Sequence, residues 1–415
     1  MITGNVHDIH WILKDRRKQG TELAKKFFAK EFARNAHRFH RQLPGYRFTD
    51  LVGLPKLSEL LGVGGIWTKD ESQRLGLNSF KSLGGSFALY RYLQKQLGIL
   101  GEDTPFAYLA SKEVKEKVGN LVFASATDGN HGRGVAWAAT QLGFASIIYV
   151  HKDTSIRRIE AIEDAGAKVV VIDGTYDDAV RQVAIDSDKN GWVVISDTSW
   201  DGYTEIPTWI MQGYLTLLTE AQEQFKKAGI AKPTHLFIQA GVGALAASVI
   251  GYYHALFGDD APLCYVLEPE KAQCLYQSAL ANDGKPHSVG GDLDTLMAGL
   301  ACGDPSPLAW EIIDAYADGF VVIPDEIAAK GMRIYAAPIL GDPQVKSGES
   351  GAGGLGVLAT IMGNSAYAEL RTRLGLDETS HVLFISSEGD TDPVHYKEIV
   401  WEGSSPVSKQ YYNEY

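Results

Sequence analysis

Four short apolar runs separated by three helical stretches constrain this chain more than any other feature. The runs are Leu121–Ser125, Ala145–Val150, Lys168–Ile172 and Trp192–Ile195. Between them lie stretches of helical periodicity at Asn130–Leu142, Ser155–Ala165 and Tyr176–Asp188. Runs without polar alternation predict strands buried on both faces, which means a parallel sheet with crossover helices. The second half repeats the style. Strands are expected at His235–Gln239, Cys264–Glu268, Gly319–Ile323 and His381–Ile385, and helices at Ala244–Phe257, Asp325–Ala336 and Gly353–Met362. A further strand, Gly65–Glu71, precedes them. The expected fold class is therefore α/β: two open, twisted, mostly parallel sheets flanked by helices, with ligands beyond the C-terminal strand ends in the cleft between two lobes.

Length and charge limit the alternatives. The chain has 415 residues, enough for two sizeable cores, and 45% are hydrophobic. A net charge of −12 argues against a nucleic-acid or acidic-membrane surface. No apolar run reaches the length of a membrane span. The first twenty residues mix Asp8, His10, Lys14 and Asp15 without an apolar segment, so the protein is expected to be cytoplasmic. Residues 1–50 read as an N-terminal extension, helical from Lys14 to Arg41. Leu54–Leu57 reads as a short extended entry, and the tail after Pro393 as a surface cover. The cysteines, Cys264, Cys274 and Cys302, lack metal-site spacing; free thiols are the expectation, with a Cys274–Cys302 bridge left open.

Five stretches carry chemistry. Asn78-Ser79-Phe80-Lys81-Ser82-Leu83-Gly84-Gly85 places one lysine on a glycine-containing turn before a helical run that begins at Phe87. Thr127-Asp128-Gly129-Asn130-His131-Gly132 follows a strand and opens a helix, where backbone N–H groups suit a carboxylate. Gln239-Ala240-Gly241-Val242-Gly243-Ala244 repeats that arrangement with room for a phosphate, yet is neither a Walker A loop nor a full dinucleotide fingerprint. Glu349-Ser350-Gly351-Ala352 precedes a glycine-rich helix, and Ser386-Ser387-Glu388-Gly389-Asp390 follows the last strand. Together they meet the needs of pyridoxal phosphate: a lysine, a phosphate loop, a partner for the ring hydroxyl, a hydroxyl for the ring nitrogen and an anion site.

In order and content these stretches resemble the fold-type II pyridoxal-phosphate enzymes over roughly residues 50 to 393. The resemblance implies Lys81 as the Schiff-base lysine, Asn130 on the ring hydroxyl, and Gly241, Val242, Gly243 and Ala244 on the phosphate. It implies Ser386 at the ring nitrogen, with Ser387 the adjacent alternative. A large domain of residues 1–89 and 201–415 is expected to hold the cofactor, and a small domain of 90–200 to face it. The family's usual loop has alanine where this chain has Asp128, and a second acid, Asp197, sits in Ser196-Asp197-Thr198-Ser199-Trp200-Asp201-Gly202-Tyr203. A carboxylate beside a carboxylate pocket is unfavourable unless the substrate carries a second positive charge. With Met297–Gly303 and Ser386–Asp392, these strings are similar to the diaminopropionate ammonia-lyase family. That likeness implies elimination of ammonia from both enantiomers of 2,3-diaminopropionate by a cytoplasmic homodimer. Lys81 and Asp128 would be the bases on opposite faces, and Thr127, Asp128, Gly129, Asn130 and Asp197 would bind the substrate. A serine/threonine dehydratase, a β-replacement synthase and a non-catalytic cofactor- or amino-acid-binding protein are the alternatives.

Overall fold

Twelve strands form two sheets in this structure, a computed structural model that describes residues 1–15, 20–127 and 129–414. The strands are β1 (Ile2–Val6), β2 (Ile9–Leu13), β3 (Leu51–Gly53), β4 (Gly65–Asp70), β5 (Val122–Thr127) and β6 (Ala145–His151). They continue with β7 (Lys168–Ile172), β8 (Val193–Val194), β9 (His235–Gln239), β10 (Leu263–Pro269), β11 (Gly319–Ile323) and β12 (His381–Ser386). The larger sheet has eight strands in the order β1-β2-β11-β10-β9-β12-β4-β3. Its centre, from β11 to β4, is parallel, and both ends are closed by antiparallel pairs. The smaller sheet, β7-β6-β5-β8, is wholly parallel. This is the fold-type II architecture.

The N-terminal extension begins with a strand pair for which the sequence reading assigns no element. Ile9, Trp11, Ile12 and Leu13 are buried in a hairpin that adds β2 to β11. Beyond residue 20 the expected single helix is two, Glu22–Phe28 and Lys30–His40, separated by an extended Ala29. The break lets Phe28 sit against Gly251, where a side chain would come within 2.1 Å of the Phe28 ring.

Two further expectations are corrected. Leu54–Leu57 is not extended: Pro55 opens the helix Pro55–Leu61, a position that suits proline. Asp342, distant in sequence, accepts the backbone N–H groups of Lys56 and Leu57 at 2.7 and 2.8 Å. The helix after the lysine stretch begins at Lys81 itself and runs to Gln96. It is wedged between the helices Asn130–Leu142 and Glu205–Lys227 by close approaches at glycine. A Cβ on Gly84 would meet Tyr214 at 2.6 Å, and one on Gly134 would meet the Ser82 backbone at 2.8 Å. The first residue of that helix is thus locked in place from both sides. The C-terminal tail does more than cover the surface, since Tyr411 is fully buried and Asn364 bonds the Gln410 and Tyr412 carbonyls.

Candidate active site

The ends of β5, β6, β9 and β12 converge on one cavity. Lys81 enters it from the first turn of its helix. The preceding segment is pinned to the end of β12: Phe80 donates its N–H to the Ser387 carbonyl at 3.0 Å, and Gly389 donates to the Asn78 carbonyl at 3.0 Å. Asn78 adopts a left-handed φ of 53°, which asparagine tolerates better than most residues.

Across the cavity, Lys81 Nζ lies 2.5 Å from Asp197 Oδ2. Asp197 is 2% exposed and also accepts a hydrogen bond from the Tyr176 hydroxyl at 3.3 Å. Burial alone would push its carboxyl up, but the charges of Lys81 and His131 outweigh that and hold it well below the usual carboxylate range. The site therefore carries a fixed negative charge beside its lysine.

The smaller sheet contributes the loop after β5. Thr127 is fully buried, and its Oγ1 accepts the N–H groups of Gly129 and Gly132 at 2.8 and 3.0 Å. Its hydroxyl thus shapes the helix start. Gly129 has a φ of 146°. Asn130 lines the cavity and donates through Nδ2 to the Glu388 carboxylate of the larger sheet. Asp128 lies outside the described residues.

The larger sheet contributes the glycine loop. Gly241, Val242, Gly243 and Ala244 line the cavity at the N-terminus of the helix Ala244–Phe257. Gly243 has a φ of 103°, and a Cβ on Gly241 would lie 3.0 Å from Cys302 Sγ. The first N–H groups of a helix have no intrahelical partners, so the loop is a ready anion cradle. Cys264, Cys274 and Cys302 are buried, and no disulfide joins them.

The two candidate serines differ in orientation. Ser387 lines the cavity; Ser386 does not, and its hydroxyl faces the Glu388 carbonyl at 3.4 Å. The sequence stretches included Gln239, Ser350 and Glu388 but gave them no role; all three line the cavity, as does Tyr176. A glutamine ending an otherwise apolar strand was the available signal for Gln239. Glu349 opens the helix Glu349–Gly363 and bonds Arg158 of the smaller sheet's helix at 2.9 Å.

These residues fit pyridoxal phosphate. The glycine loop leaves the room and the donors a phosphate needs. Ser350 Oγ, on a side chain 3% exposed, lacks a hydrogen-bond partner among the described residues, as a buried hydroxyl awaiting a ligand would. Fold and site together define a pyridoxal-phosphate enzyme that binds its substrate between two sheets.

Comparison with known proteins agrees. The family model for pyridoxal-phosphate dependent enzymes matches residues 42–369. A diaminopropionate ammonia-lyase from Salmonella typhimurium is 49% identical over 94% of this chain and 97% of its own. The same enzyme from Escherichia coli is 46% identical over 92% of this chain and 94% of its own. The crystal structure of the Escherichia coli diaminopropionate ammonia lyase in complex with D-serine superposes with a TM-score of 0.89 at 43% identity, covering 96% of this chain and 98% of that one. The chain belongs to the pyridoxal-phosphate dependent enzymes and, within them, to the diaminopropionate ammonia-lyase family.

Proposed function

We propose that this protein eliminates ammonia across the α and β carbons of 2,3-diaminopropionate, in both enantiomers, to give pyruvate and two ammonia. The observation that carries the reading is the buried Asp197 carboxylate beside Lys81, a charge suited to a substrate with a second amine. Held on Lys81, pyridoxal phosphate supplies an electron sink for the pair left at the α-carbon when its proton leaves.

The chain's own groups divide the remaining work. The N–H groups of Gly241 to Ala244 hold the phosphate, and Asn130 takes the ring hydroxyl. Either Ser386 or Ser387 meets the ring nitrogen, and the cavity-facing position of Ser387 favours it. Thr127, Gly129 and Asn130 form the turn that receives the substrate carboxylate at a helix start. The freed Lys81 amine removes the α-proton of the L-enantiomer, and Asp128 removes it from the D-enantiomer on the opposite face. For the L-enantiomer Lys81 then passes that proton to the departing β-amine; for the D-enantiomer the proton comes from a protonated Lys81 or an acid nearby. Asp197 holds a substrate amine. The unsaturated product hydrolyses in water to pyruvate and the second ammonia. Residues 90–200 act as the small, substrate-facing domain, and the remainder as the cofactor-binding one. The working form on this reading is a cytoplasmic homodimer, its assembly testable by light scattering.

The test is product release from cofactor-loaded protein given D- and L-2,3-diaminopropionate, with D- and L-serine alongside. Two ammonia per pyruvate from both diamino acids, well above the serine rates, is the expected result. Turnover confined to serine would overturn the substrate. The Asp128→Asn variant should lose D-turnover far more than L-turnover; equal losses would remove Asp128 from its assigned role.

A further inference from the structure

Gln239 ends β9, is 3% exposed and faces the cavity. Its Nε2 lies 2.8 Å from the Ile385 carbonyl and 3.0 Å from Ser387 Oγ. A carbonyl can only accept, so the amide end facing Ile385 must be the NH2 group. The same group therefore donates its second proton to Ser387. One lone pair of the Ser387 oxygen is thereby occupied, and the hydroxyl proton must be spent elsewhere. Among the described residues no acceptor lies within hydrogen-bond distance of it. Ser386 differs, because its hydroxyl already faces the Glu388 carbonyl. A buried hydroxyl proton without an acceptor is costly, and an accepted bond strengthens the hydroxyl as a donor. What would satisfy Ser387 is a neutral acceptor arriving in the cavity.

We infer that Gln239 is a positioning residue: it fixes the Ser387 hydroxyl as a donor into the cavity and so keeps the nitrogen of the bound pyridine ring unprotonated. This rests on the cofactor assignment made above and on Ser387 as the ring partner. A protonated ring nitrogen would have to take the remaining Ser387 lone pair and leave the hydroxyl proton unspent. A neutral ring is the weaker electron sink, and it favours prompt loss of the β-substituent over accumulation of a stabilised carbanion. Gln239 thus links the end of β9 to the course of the reaction without touching the substrate.

The direct readout is the 15N resonance of the ring nitrogen in protein loaded with 15N-labelled pyridoxal phosphate. The unmodified holoenzyme should show a neutral, hydrogen-bonded nitrogen from pH 6 to pH 9. A pyridinium signal at neutral pH overturns the inference with no variant needed. In Gln239→Met, the Ser387 oxygen loses the donor that occupies one of its lone pairs, and its hydroxyl can turn to accept from the ring. The resonance should move toward pyridinium, and cofactor affinity should fall about fivefold, the loss of one ordinary hydrogen bond. Adding Gln239→Met to Ser387→Ala should then change the resonance no further. An unchanged resonance in Gln239→Met, with only thermal stability lowered, would reduce Gln239 to a structural role. A shift caused by Ser386→Ala and not by Ser387→Ala would overturn the assignment. If the nitrogen behaves as stated while diaminopropionate is not turned over, the substrate reading fails and the role of Gln239 stands.

Discussion

The two sheets share one construction and differ in burial. In the larger sheet every residue of β9 and β11 is buried, and helices cover both faces. In the smaller sheet no residue of β7 is fully buried, and Val171 is 53% exposed. Phe123, Ile148 and Val150 of its strands join the main core, and the rest build a small cluster around Ala124, Ala126, Tyr149, Ala179 and Val183. Few buried contacts mean low local stability. The contrast suits a division of labour. On the proposed assignment, a rigid platform would hold the cofactor at the β9 and β12 loops, and a looser unit carrying the β5 loop would settle on the substrate. Among the described residues, Lys81 with Asp197 and Asn130 with Glu388 join them at the cavity, and Arg158 with Glu349 joins them beside it.

Changes to these joints should have graded effects. Lys81→Ala removes the only group proposed both to hold the cofactor and to move the α-proton. Turnover should fall by about 10⁴-fold or more, and borohydride should no longer fix the cofactor to the protein. Asp197→Asn keeps the shape but removes the charge, and kcat should drop by roughly 10²-fold with the fold intact by circular dichroism. The depressed carboxyl of Asp197 also sets a sign for stability. Its contribution is present above the ordinary carboxylate range, near pH 4, and is lost as pH falls through the lower folded value. The acid-side loss of stability should therefore shrink in Asp197→Asn, as read by denaturant titration at several pH values.

Gly134→Ala drives a methyl group against the Ser82 backbone, where the helix of Lys81 meets the helix after the β5 loop. Overpacking of this kind costs about 1–3 kcal/mol. The loss should come with misplacement of Lys81, so chemical denaturation and kcat should fall together. A fall in stability alone would show that this joint does not position the lysine. Arg158→Met breaks a pair whose side chains are 11% and 6% exposed. Weaker closure should raise KM by several-fold, about 1 kcal/mol, with kcat little changed. A change in kcat alone would count against substrate-driven closure.

The parallel core was readable because buried β-branched runs and helix periods are local signals. β5 to β7 and β9 to β12 all lie within a few residues of their expected positions. What escaped depends on distant partners. Pro55–Leu61 is capped by Asp342, and the 23-residue helix Glu205–Lys227 is buried on nearly every side, which erases its periodicity. The N-terminal hairpin makes sense only once β11 is beside it. In the site, Gly129 and Gly243 stand out in sequence because their backbones favour glycine, and Lys81 because of the motif around it. Gln239 and Ser350 carry no such mark, and their importance appears only where the cavity brings them together.

The division between platform and mobile unit is tested most directly by amide hydrogen exchange on cofactor-free protein, followed by stepwise addition of pyridoxal phosphate and then D-serine. The cofactor should slow exchange in residues 239–247 and 384–390 far more than in 121–134, which on the proposed assignment it meets through Asn130. D-serine, the ligand of the Escherichia coli relative's crystal structure, should then protect 127–134 and the helix carrying Arg158. Equal protection of both sheets by the cofactor alone would contradict a platform that holds the cofactor and a smaller sheet that answers to the substrate.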